Sequence, residues 1–173
     1  MRFRAGRLCV CFGAYRCITC ITDVNGRLKS WQVPESEFTK TQKVTLRRIL
    51  SHSAGLTVPG FLGYASDAQL PTLIQILNGT PPANSQPVRV EMIPGTKFRY
   101  AGGGYVVLQQ LLTDVSGKSF PDLLDQLVLK KLGMDHSSFL EPPPQLPYFV
   151  CRPRRDRAST GLNHARLLPH PQR

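Results

Sequence analysis

The chain has 173 residues, 41% of them hydrophobic and 19% charged, which is enough for one domain with a real core and argues against global disorder. Its formal net charge of +11 belongs to the ends: residues 1–29 carry +5, residues 151–173 carry +5, and residues 30–150 carry only +1. No apolar run approaches the length of a membrane-spanning helix.

Residues 1–23 show no clear helical or strand period, and they hold four of the five cysteines as Cys9-Val-Cys11 and Cys17-Ile-Thr-Cys20. Four thiolates can close a tetrahedral zinc site, but this spacing matches no common zinc module, and no metal is expected. The basic start and the short apolar run Leu8-Cys-Val-Cys-Phe-Gly-Ala14 are followed at once by Arg16. That run is at the short end for a signal-peptide core and is not expected to act as a leader, which leaves the compartment open.

Patterning begins at Val24. Thr45 is placed to cap a short helix with Leu46, Ile49 and Leu50 on one face, and Gly55 suits its C-terminal stop. Residues 57–66 read as a loop from their proline and glycines. Ser66 or Asp67 then caps a helix whose apolar set is Leu70, Leu73, Ile74 and Leu77, ended by Gly79. Pro81, Pro82 and Pro87 mark an extended connector, and Val88, Val90 and Met92 alternate with Arg89 and Glu91 as in a short strand.

The most informative stretch is Met92-Ile-Pro-Gly-Thr-Lys-Phe-Arg-Tyr100-Ala-Gly-Gly-Gly-Tyr-Val-Val-Leu-Gln-Gln-Leu-Leu112. It predicts a turn, a short extended run to Tyr100, a glycine corner and an amphipathic helix with Leu108, Leu111, Leu112 and Val115 inward and Gly117 as stop. Backbone on both sides would hold the Tyr100 phenol at that corner. Free N–H groups at Gly102-Gly-Gly104 would suit an anion, but no lysine or serine follows as in a phosphate loop. Ser119-Phe-Pro-Asp122 resembles a capping box. The helix after it is expected to bury Phe120, Leu123, Leu124, Leu127, Val128 and Leu132, with Lys130 and Lys131 on its negative end and Gly133 as stop. From Pro142 the pattern is lost. The domain reading is therefore a basic, Cys-rich segment 1–23, an organised region 24–140, and a Pro/Arg-rich tail 141–173 expected to be disordered.

Three segments in order carry a family resemblance. Val44-Thr-Leu-Arg-Arg-Ile-Leu-Ser-His-Ser-Ala-Gly-Leu56, Pro94-Gly-Thr-Lys-Phe-Arg-Tyr-Ala-Gly-Gly-Gly-Tyr105, and Gly117-Lys-Ser-Phe through Lys131-Leu-Gly-Met-Asp-His-Ser-Ser-Phe139 resemble the serine beta-lactamase-related family. This is the group of class C beta-lactamases, D-alanyl-D-alanine carboxypeptidases and esterases. The resemblance implies an α/β (α+β) beta-lactamase/transpeptidase-like fold, here mainly its helical subdomain with the main sheet incomplete. It implies no cofactor, and a small-molecule ester, amide or beta-lactam as substrate of a complete member.

In that family a serine forms an acyl-enzyme, helped by a lysine three residues on (S-x-x-K). The tyrosine of a Y-x-N motif acts as base, and a later K-T-G or H-x-G motif adds charge. Tyr100 matches the tyrosine and is the candidate catalytic base. Gly102 falls where the motif has its substrate-facing asparagine, which argues against a beta-lactamase proper more than against the family. His52 lies in a signature segment beside the site and is expected to be packed and hydrogen-bonded.

None of the lysines has a serine three residues before it, and G-x-S-x-G, K-[ST]-G and H-x-G do not occur. A family relative without its nucleophile, with Cys- and Arg-rich ends around a patterned middle, has the texture of a truncated or frame-disrupted copy that is inactive alone. An alternative reading is a basic protein that touches nucleic acid or an anionic membrane through Arg152-Pro-Arg-Arg-Asp-Arg157 and the N-terminal arginines. No aromatic residue is interleaved with those arginines, so a nucleic-acid partner is not favoured.

Overall fold

The computed structural model describes residues 9–10, 18–65 and 68–140. Strands β1 (Cys9–Val10) and β2 (Ile18–Thr19) form a short antiparallel pair. Four α-helices follow among the described residues: α1 (Leu46–Leu50), α2 (Leu73–Asn78), α3 (Gly102–Ser116) and α4 (Phe120–Leu124). Beyond β1 and β2, the described residues make isolated bridges, Asp23 with Thr45 and Leu56 with Val90. The tail expected at 141–173, Cys11 and Cys17 of the cysteine cluster, and the cap residues Ser66 and Asp67 lie outside the described residues.

Helix α3 is the axis of the core. Its Val107, Leu108 and Leu111 are buried with Ile49 of α1, Leu77 of α2, and Leu56, Val88 and Val90 of the extended segments. The N-terminal arm wraps the same cluster: Val24, Leu28, Trp31 and Val33 are buried in it, and Trp31 Nε1 donates to Asn78 Oδ1 at 2.9 Å. Burying these side chains is the dominant favourable contribution to the fold.

Local signals set several boundaries. Thr45 caps α1, its side chain accepting from the Arg48 N–H, and Leu46 and Ile49 are buried. Leu50 is exposed, because five helical residues present only one turn of that face to the core. His52, with φ 52°, makes the left-handed exit immediately after α1, and Gly55 follows with φ 72°. Ser119 caps α4 through the Asp122 N–H, and Gly117 and Gly133 stop their helices in the left-handed region.

Other expectations are corrected. Helix α2 starts at Leu73, capped by Thr72 in a reciprocal box with Gln75, and Leu70 stands outside it, exposed. The residue before a proline is pushed out of helical backbone, so Pro71 keeps Leu70 from joining. Val88 and Val90 are buried as their alternation predicts, but the pairing there is the one bridge to Leu56. After α4 the chain passes into a π turn, Asp125–Leu129, and a 3-10 turn, Lys130–Leu132. Those wider and tighter turns move the inward face off the helical period. Leu129 is buried, while Val128 and Leu132 face solvent.

Candidate functional site

The candidate site is built where the exit of α1 meets the run into α3. The Arg99 N–H donates to the His52 carbonyl at 2.7 Å, and the Ala101 N–H donates to His52 Nδ1 at 3.2 Å. Nδ1 is thus an acceptor, and in the neutral imidazole Nε2 carries the proton. The imidazole lies against Tyr100, with ring centroids 4.4 Å apart and planes tilted by 34°. Tyr105 and Phe98 complete an aromatic group around it, at 5.4 Å and 5.9 Å. His52 is therefore packed and hydrogen-bonded, as its place in the signature segment implies.

The outer rings of that group are open to solvent: Phe98 is 73% exposed, Tyr100 58% and Tyr105 48%. Among the described residues, no side chain hydrogen-bonds the Tyr100 hydroxyl. The hydroxyls of Ser51 and Ser53, which flank His52, lie 2.9 Å from each other, and that of Ser51 also reaches the Arg48 carbonyl at 3.4 Å. Arg99, next to Tyr100, pairs with Glu91 at 2.8 Å.

The glycine corner has a packing cause that the sequence does not reveal. A Cβ on Gly103 would lie 2.8 Å from the Thr57 carbonyl oxygen, and one on Gly104 would lie 3.1 Å from Ile49 Cγ2. A Cβ on Gly102 would meet the Pro59 carbonyl oxygen at 3.0 Å. The start of α3 is thus pressed against the 57–59 loop and α1. Two N–H groups suited to an anion are already taken: Gly103 donates to the Val58 carbonyl at 2.9 Å and Gly102 to the Pro59 carbonyl at 3.3 Å.

Sequence reasoning missed a second polar centre on the same helix. Asp114 is buried on α3, and its carboxylate receives the N–H of Lys29 (2.7 Å), the N–H and hydroxyl of Ser30 (3.0 and 2.7 Å) and the amide of Gln110 (2.9 Å). Burial alone would raise its pKa. The hydrogen bonds from Lys29, Ser30 and Gln110 outweigh burial and hold it below the ordinary Asp value. This centre fastens the N-terminal arm to α3. The one available signal was an acid on the apolar side of a helix.

Among the described residues no group of three or more His, Cys, Asp or Glu side chains could hold a metal, and no helix is long and apolar enough to cross a membrane. Cys20 is a buried free thiol. No curated protein matches the chain. The Beta-lactamase family model matches residues 26–170, the greater part of the sequence and a span that includes the α1 exit, the Tyr100 corner and α3. On that match the chain belongs to the beta-lactamase family.

Proposed function

We propose that this chain carries the helical portion of a serine-hydrolase-related beta-lactamase domain, with Tyr100 in the position of the catalytic base, and that alone it turns over no ester, amide or beta-lactam. The observation carrying the reading is the Tyr100 phenol itself: fixed against His52, open to solvent, and with no hydroxyl or ammonium partner among the described residues. A phenol works as a base only where a neighbouring cation favours the phenolate. The acyl-enzyme of this family further needs a serine oxygen that bonds to the carbonyl carbon as the leaving group departs. The sequence contains no S-x-x-K to provide either group.

Gly102 stands where a substrate-facing amide is expected, and it offers only backbone. The substrate class of the domain, when its machinery is whole, is a small molecule with an acyl bond. Incubating the purified chain with an activated phenyl ester and with a chromogenic beta-lactam tests the reading. Release of product at the buffer rate, equal for the wild type and Tyr100→Phe, is expected. Saturable turnover that disappears in Tyr100→Phe would overturn it.

A further inference from the structure

The loop Thr57-Val-Pro-Gly-Phe-Leu-Gly-Tyr64 is tied down at both ends. At its start, the Thr57 N–H donates to the Arg89 carbonyl (2.9 Å), while the Thr57 hydroxyl donates to the Pro87 carbonyl (3.0 Å) and accepts from the Arg89 N–H (2.8 Å). At its end, Asn84 donates its side-chain amide to the Gly63 carbonyl (2.8 Å) and its N–H to the Tyr64 hydroxyl (3.1 Å). Between these anchors residues 59–62 are exposed and cross the start of α3. The crossing needs Val58 at φ 62°, a left-handed backbone that a β-branched residue strongly disfavours. What opposes that strain is the burial of the Val58 side chain and the two bonds from the Gly102 and Gly103 N–H groups.

Residue 102 is the glycine that meets residues 59–61, while Gly103 meets Thr57 and Val58, the first of them more tightly still. An added Cβ on residue 102 would sit 3.0 Å from the Pro59 carbonyl oxygen and 3.6 Å from Phe61 Cε2. We propose that residues 59–62 form a strap that lies closed over the glycine corner beside Tyr100 because residue 102 has no side chain, so that residue 102 sets access to that corner. A side chain at 102 would have to push the Pro59 carbonyl back, and with it residues 59–62, weakening the bond from the residue 102 N–H. The proposal does not depend on what Tyr100 does chemically.

Hydrogen exchange resolved to single amides, with timed chymotrypsin cleavage after Phe61, tests it. In the wild type the Gly102 and Gly103 amides are expected to exchange at least about tenfold more slowly than unprotected amides, as bonded groups do. Gly102→Asn should remove that protection and speed cleavage after Phe61 by about tenfold, while amides of residues 106–112 stay protected. Gly26→Asn, at a position with open space around it, should change neither. If Gly102→Asn also loses protection at 106–112, the arm to read is Gly102→Ala, whose single methyl should shift both readouts in the same direction by less. An unprotected Gly103 amide in the wild type, or equal cleavage after Phe61 in the wild type and whichever Gly102 variant is read, would overturn the strap.

Discussion

Residues 24–116 and residues 120–140 are both helix-rich, yet they are held together by different means. In the first region α1 and α2 are short, but their apolar side chains converge on α3, and the buried cluster there runs from Val24 to Leu111. In the second, local signals are stronger: a serine cap, a proline in the first turn and lysines in the last. Only Leu123 and Leu129 are buried there, while Val128, Leu132, Met134, Phe139 and Leu140 face solvent. Good helix signals make a helix, but convergent burial makes a core. The second region thus leaves several apolar side chains in contact with water.

Substitutions can break or sharpen that contrast. Leu111→Ala, at a side chain 1% exposed in the first region, should cost about 3 kcal/mol in chemical denaturation, a transfer and a cavity cost together. A loss below about 1 kcal/mol would mean the α3 core is not tightly packed. Asp114→Ala should cost about 2 kcal/mol, because it strands the N–H groups of Lys29 and Ser30.

The same carboxylate makes stability depend on pH. Its folded pKa lies below the ordinary value, so its contribution is fully present above the unfolded Asp value of about 3.9 and is lost as pH falls through the lower folded value. Melting temperature followed from pH 6 downward should therefore decline more steeply below about pH 4 in the wild type than in Asp114→Asn. Parallel curves would show that Asp114 is not held as the ion.

In the second region the effects should be smaller. Ser119→Ala removes the cap of α4 and should cost about 1 kcal/mol, with the loss of protection confined to amides 120–124. Leu132→Ser, at a side chain 68% exposed, should change stability by less than about 0.5 kcal/mol while lowering binding of an apolar dye and raising solubility. A loss comparable to that of Leu111→Ala would mean that Leu132 is covered in solution and that the two regions are alike.

What was legible in the sequence follows the same division. Thr45, Ser119, Gly117 and Gly133 act within one or two turns of themselves, so their capping and stopping roles can be read from neighbours alone. The start of α2 is not legible from capping residues alone, because Ser66 and Asp67 look as good as Thr72 until Pro71 is weighed against Leu70. The clamp on Asp114 joins residues 84 and 85 apart, and no periodicity encodes that. The same holds for the stacking of Tyr100 on His52 and for the loop that presses on Gly102 and Gly103. Tyr100 and Gly102 stand out in the sequence only through likeness to a family motif. Their surroundings became visible only when the exit of α1, the 57–59 loop and α3 were brought together.

The central claim is that the Tyr100 corner stands without a nucleophile. Intact-mass analysis after incubation with a fluorophosphonate, which labels activated serines, tests it most directly. The account predicts an unmodified mass in both the wild type and Tyr100→Phe. One phosphonyl group per chain on a serine, acquired by the wild type and lost in Tyr100→Phe, would contradict it.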